Sequence, residues 1–197
     1  ENAFLKERLV KNNAINSYSI IKYNKELDKY RLRSAKVVNN SVNLQNNYIT
    51  LNIGSKSGVK KGMGVINEDG VVGIVVSTSE NYSLVASVLH SQSMISSKIK
   101  RTNTIGTSHW SGNGSKEFEL KYIPRHISIN KKDTIVTSSY NSIYPENTPI
   151  GIIESFSLGK NSSFYEIKLN ILPDLANLNY VYVVQNLYAT EQKELEN

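Results

Sequence analysis

The chain has 197 residues, 39% hydrophobic and 20% charged, enough apolar material for one large or two small cored domains and too little charge for a disordered polyelectrolyte. Its net charge is +6 with no long basic block; the densest cluster, Lys98-Ile99-Lys100-Arg101, alternates with Ile95, Ser97 and Ile99 as on the outer face of a strand. The absence of cysteine excludes disulfides, thiolate metal sites and a cysteine nucleophile.

Residues 1–16 have helical composition. Leu5 and Leu9 lie four apart, as do Val10 and Ala14, a spacing that places each pair on one helix face. The seam is short, because its continuation brings in Asn12, Asn16 and Ser19. Two readings stand: the end of a longer dimerising coiled coil, or a terminal helix packed on its own domain. Residues 17–34 have irregular apolar spacing with many Tyr and Lys, and read as a connector.

From Lys36 the period changes to two. Ile49, Leu51 and Ile53 alternate with Thr50 and Asn52; Phe118, Leu120 and Tyr122 with charged neighbours; Tyr165, Ile167, Leu169 and Ile171 with Glu166, Lys168 and Asn170. Such alternation marks strands with one buried face. The runs 71–76, 83–89 and 180–184 are nearly continuous, short and β-branched, as expected of strands covered on both sides. Asp69-Gly70 reads as a type I′ hairpin turn, which needs positive φ. A weak repeat links Val59–Ile66 and Gly70–Val75 with Ile129–Val136 and Thr148–Ile153, each copy a basic turn, a strand, a loop and a strand with a central Gly. The fold expected is all-β: two small antiparallel β-barrels of five or six strands after a short N-terminal helix. The boundaries expected are 35–110 and 111–188, dividing near Ser111-Gly112-Asn113-Gly114, with a flexible tail at 189–197.

Catalytic patterns are missing. There is no Gly-x-Ser-x-Gly elbow, and the nearest string, Trp110-Ser111-Gly112-Asn113-Gly114, lacks the leading Gly. His90, His109 and His126 lie far apart in sequence, without the i, i+4 spacing of a helical zinc site. Gly54-Ser55-Lys56-Ser57 resembles a phosphate loop superficially, but a turn and strand follow it instead of a helix. No catalytic residue, cofactor or metal site is expected. Basic charge and twelve tyrosines keep a nucleic-acid-binding β-barrel as the alternative, although the aromatics are not interleaved with basic residues along one strand. The loop Tyr140-Asn141-Ser142-Ile143-Tyr144 is the candidate partner surface, since exposed aromatics are enriched at interfaces. The competing reading is that Ile143 and Tyr144 fold back and plug a barrel end.

The segment Tyr48–Ile66 runs from an apolar strand through Gly54, a polar turn and Gly58-Val59 to Lys61-Gly62-Met63 and a valine strand. With Gly70-Val71-Val72-Gly73, Asp133–Ser138, Tyr144–Gly151 and Leu178–Val184, it resembles the MreC family over roughly residues 35–187. Lys132 and Asn147 stand where that family's pattern has Gly; Asn tolerates left-handed backbone, Lys less so. The resemblance implies a non-catalytic cell-shape scaffold on the periplasmic side of the bacterial inner membrane, anchored by one upstream helix. It implies dimers or filaments, an elongation complex with MreB, MreD and RodZ, and recruitment or activation of a class B penicillin-binding transpeptidase. No apolar run is long enough to span a membrane and no signal-peptide pattern opens the chain, so the anchor is expected upstream of Glu1.

Overall fold

The period-two segments become strands that close on themselves. The computed structural model describes residues 29–112, 117–140, 143–159 and 162–196; the expected N-terminal helix and its seam, Leu5, Leu9, Val10 and Ala14, lie outside the described residues. The strands are β1 (Tyr30–Asn40), β2 (Asn46–Leu51), β3 (Gly64–Ile66), β4 (Val71–Thr78), β5 (Ser83–His90), β6 (Met94–Ile99), β7 (Ile105–Trp110), β8 (Glu117–Lys121), β9 (Thr134–Thr137), β10 (Pro149–Leu158), β11 (Tyr165–Ile171) and β12 (Tyr180–Asn186). A helix, α1 (Ala189–Glu196), follows. Two closed antiparallel barrels result, ordered β1-β12-β3-β4-β5-β2 and β10-β11-β8-β7-β6-β9. Closure leaves neither barrel with a sheet edge open to pairing among the described residues.

Alternation decides which side chains fill the barrels. Ile49 and Leu51 of β2, Phe118 and Leu120 of β8, Ile167 and Leu169 of β11, and Val181 and Val183 of β12 are all buried. A few polar side chains join them, among them Asn47, Ser97 and Ser108. The Asn47 amide is fully buried, and donates to the carbonyls of Leu44 (2.6 Å) and Leu89 (2.7 Å) while accepting from the Leu44 N–H (3.0 Å). Its hydrogen bonds offset the desolvation that would otherwise oppose burial.

The repeat is real at the level of individual hydrogen bonds. In the first copy Gly62 N donates to Val75 O, Met63 N to Lys60 O and Val75 N to Met63 O. In the second, Lys132 N donates to Ile153 O, Asp133 N to Asn130 O and Ile153 N to Asp133 O. Gly62 and Lys132 share the left-handed backbone this turn requires, with φ of 90° and 70°.

Four expectations are corrected. Tyr30–Ser34 is not connector but the start of β1, paired with Tyr182–Asn186. Long polar side chains concealed it, Arg33 being held at the barrel mouth by the Gln185 Oε1 at 2.7 Å. The boundary at residues 110 and 111 falls within the second barrel, because β6 and β7 belong to that barrel and β12 to the first. The strands on either side, β7 and β8, pair antiparallel within that one barrel. Residues 189–196 are helical. The β3–β4 hairpin is not a type I′ turn: Asp69 lacks positive φ. The Asn67 Oδ1 instead accepts the N–H groups of Asp69 and Gly70 in an Asx turn.

Candidate partner-binding surface

Most of the polar groups that could carry chemistry are occupied by the fold. His90 accepts the Gln92 N–H on Nδ1 at 3.1 Å and meets the Tyr48 hydroxyl through Nε2 at 3.2 Å. His109 lies between the Trp110 carbonyl (2.6 Å) and the Glu119 carboxylate (3.2 Å). His126 is exposed. Among the described residues no group of three or more His, Asp or Glu could hold a metal ion. At the loop of Gly54–Ser57, the N–H groups of Ser55 and Lys56 donate to the carbonyls of Ser79 and Glu80, and Lys56 pairs with Glu80 at 2.6 Å. Those donors face the protein and do not cradle an anion.

Two of the three cations in the basic cluster at the end of β6, Lys98 and Arg101, are also committed. Lys98 sits on the outer face of the strand as alternation requires, yet it is buried: the β9–β10 loop covers it and supplies Glu146 at 2.5 Å. Arg101 makes a two-pronged contact with Asp133 at 2.8 and 2.7 Å, and donates to the Ser128 carbonyl. The hydrogen bonds from Arg101, joined by the Asn130 N–H, hold the Asp133 carboxyl below its usual value.

The sequence-selected loop divides between two environments. Tyr140 is 63% exposed. Ile143 and Tyr144 turn inward and reach the first barrel, where the Tyr144 hydroxyl donates to the Gly73 carbonyl at 2.8 Å. Its ring keeps some surface, but the hydroxyl is enclosed, and burial pushes the phenol above its ordinary range.

Sequence reading missed a second aromatic group. Tyr122 is 61% exposed and stacks edge-to-face on the exposed Phe164, with centroids 6.2 Å apart. Phe156 meets Tyr165 in the same way at 5.7 Å, and Leu158 is exposed beside them as the cross-strand partner of Tyr165. These residues end β8 and β10 and begin β11, so they share one end of the second barrel. Pro149, against the first barrel, begins β10 at the other end. Nine steps of strand separate Pro149 from Leu158, roughly 30 Å.

Alternation assigns Tyr122 to the buried face with Phe118 and Leu120. In the structure β8 stops at Lys121, and Tyr122 takes a φ of 68°. Ile123 thereby becomes fully buried and the Tyr122 ring is turned to solvent. A left-handed non-Gly residue costs on the order of 1–3 kcal/mol. The sequence signal was the doubled apolar pair Tyr122-Ile123 before Pro124, which breaks the period of two.

Comparison with known proteins agrees with this architecture. Residues 37–185 match the family described as "Rod shape-determining protein MreC, barrel core", and the chain belongs to that family. It is 30% identical over 161 residues to the cell shape-determining protein MreC of Haemophilus influenzae, a match covering 80% of this chain and 44% of that protein. With the Listeria monocytogenes protein of the same name it shares 26% identity over 200 residues, covering 94% and 68%. The chain therefore spans under half of the first relative and about two thirds of the second. A solved MreC from Listeria matches at a TM-score of 0.77 and 25% identity, covering 94% of this chain and 95% of that one. A chain of the complex between penicillin-binding protein PBP2 and MreC from Helicobacter pylori matches at 0.64 and 14% identity, covering 80% and 99%, a likeness of fold.

Proposed function

We propose that this member of the MreC family is a non-catalytic scaffold that binds a penicillin-binding transpeptidase through the outer end of its second barrel. The observation that carries the reading is the Tyr122–Phe164 pair. A strained backbone holds a large aromatic ring in water when a Gly at the same position would relieve the strain, and aromatic side chains are the usual anchors of protein interfaces. Phe156 and Leu158 extend the apolar surface, and Tyr140 offers a separate contact near the opposite end. The Helicobacter pylori MreC forms a complex with PBP2, which supports a partner of this class.

The site would recruit or activate its transpeptidase on the periplasmic side of the inner membrane, with MreB, MreD and RodZ in the same assembly and the segment before residue 29 serving self-association. Catalysis is not part of the proposal, because the histidines and the phosphate-loop lookalike are all engaged or isolated.

Nucleic acid is the competing partner, since Lys100, Arg125, Lys131 and Lys132 are exposed at or beyond the strand ends of the same barrel. One experiment separates the two. The immobilised chain is exposed to solubilised cell envelope, captured transpeptidases are revealed with a labelled penicillin, and single-stranded DNA is titrated in parallel at physiological salt. Retention of a penicillin-binding protein without DNA binding is expected. Submicromolar, salt-sensitive DNA affinity with no penicillin-binding protein retained would overturn the proposal.

A further inference from the structure

The segment joining β9 to β10 is braced far more heavily than a hairpin connection requires. Thr137 Oγ1 and Thr148 Oγ1 both donate to the Pro145 carbonyl, at 2.6 and 2.7 Å, and Thr148 N donates back to Thr137 Oγ1 at 2.9 Å. Asn147 closes the turn in left-handed backbone, φ 65°, and its N–H donates to the Thr137 carbonyl at 3.1 Å. The Lys98–Glu146 ion pair fastens the segment to the barrel wall. What the brace presents is Tyr144, and it presents it to the other barrel.

There the first barrel has a socket. A Cβ on Gly64 would lie 2.7 Å from the Tyr144 Cδ1 and Cε1 atoms and 2.8 Å from the Ile143 carbonyl, so the ring needs a glycine at that position. The Gly73 carbonyl accepts the phenol, and the Tyr30 hydroxyl donates to the Tyr144 carbonyl at 3.1 Å. Beside the socket the Gly70 backbone packs on Pro149, where a Cβ would come within 2.1 Å of the Pro149 carbonyl oxygen. Three of the contact points are glycines of the first barrel, and every projecting group comes from the second barrel except Tyr30.

We infer that Tyr144 is a pin and Gly64–Gly73 its socket, and that together they fix the angle between the barrels and make the scaffold one rigid body. The covalent links alone do not account for a fixed angle: the segments 91–93 and 172–179 join the barrels, and domains joined by connectors move relative to one another unless a tight interface stops them. A scaffold gains from the pin, because a partner held on the second barrel then keeps its direction relative to whatever the first barrel holds. The inference stands whether or not the partner is a transpeptidase.

The chain has no cysteine, so Ser77→Cys and Lys168→Cys, both exposed and one on each barrel, supply the only two thiols for spin labels. Pulsed dipolar spectroscopy then reads the distribution of distances between the barrels. The unmodified pin and socket give one narrow distribution. Tyr144→Ala, and separately Gly64→Ala, which expels the ring from the other side, each broaden it about twofold while strand content is kept. A Tyr144→Ala chain that is folded and as narrow as the parent overturns the inference. Should Tyr144→Ala fail to fold, Gly64→Ala decides by the same criterion, with an unbroadened distribution counting against the pin.

Discussion

The two barrels close the same ring of six strands, but the chain supplies them differently. Read from β6, the second ring runs β6-β7-β8-β11-β10-β9 in one unbroken stretch of chain. Read from β12, the first runs β12-β1-β2-β5-β4-β3, the identical order with its leading strand delivered last. The second barrel can therefore close on local contacts. The first must pair Tyr30 with Asn186 across nearly the whole described chain, at a loop-closure cost that grows with that separation. Two copies of one architecture thus differ in what each depends on: the second on itself, the first on the far end of the sequence.

Removal of residues 180–197 tests that asymmetry with the largest expected effect. It deletes Val181, Val183 and Val184, each worth about 1.5–3 kcal/mol of burial, together with both ladders that β12 makes. That sum rivals the whole stability of a typical domain, about 5–15 kcal/mol. Amide hydrogen exchange should show β1–β5 unprotected and β6–β11 still protected. Equal loss in both barrels would break the comparison.

Substitution at the paired glycines comes next. A Cβ on Gly73 would stand 2.3 Å from the Ala86 carbonyl oxygen, and one on Gly151 would stand 2.6 Å from that of Asn170. Gly73→Ala and Gly151→Ala should each cost about 1–3 kcal/mol by overpacking, measured by urea denaturation. A marked inequality would mean the two rings tolerate expansion differently.

The turns before β3 and β9 differ in chemistry. Where Met63 offers its sulfur to the Lys60 N–H at 3.4 Å, Asp133 offers a carboxylate to the Asn130 N–H at 2.9 Å and to Arg101. Because the folded state depresses the Asp133 pKa, its contribution is present above the unfolded value of about 3.9 and is lost as pH falls through the folded value. The second barrel should lose exchange protection on acidification more steeply than the first, and Asp133→Asn should remove that excess. A slope unchanged by Asp133→Asn would assign the acid response elsewhere.

The smallest effect is expected at Lys132. Its φ of 70° matches the conformation Gly62 adopts in the first copy, so Lys132→Gly should raise the thermal midpoint of the second barrel by the equivalent of about 1 kcal/mol. Differential scanning calorimetry is sensitive enough to see it.

Much of this was legible in the chain. Ile49 and Leu51, or Ile167 and Leu169, announce one-sided strands, whereas the turn type at Lys132 and Asn147, which stand where the family pattern has Gly, is settled only by their positive φ. What the sequence concealed has physical causes. Arg31 and Arg33 occupy inward positions at a barrel mouth, where long polar side chains reach solvent, so the alternation of β1 is blurred. Nothing local tells β12 that its partners are β1 and β3 and not the preceding β11; only closure of the ring decides that. In the sequence Tyr144 stands in a loop and Tyr122 in an alternating strand. The first meets a glycine socket some eighty residues upstream of it, the second a backbone slip at its own position, and only the folded ring distinguishes a pin from an exposed surface.

The scaffold reading turns on Tyr122, where stability and binding should pull in opposite directions. The direct measurement pairs a thermal midpoint with the affinity of a purified penicillin-binding transpeptidase for the chain and for Tyr122→Gly. Relief of the left-handed strain should stabilise the protein by about 1 kcal/mol, while loss of the aromatic anchor should weaken binding at least about tenfold, or 1.4 kcal/mol. A stabilised variant that binds the transpeptidase as tightly as the parent would contradict the assignment of this end of the second barrel as the partner surface.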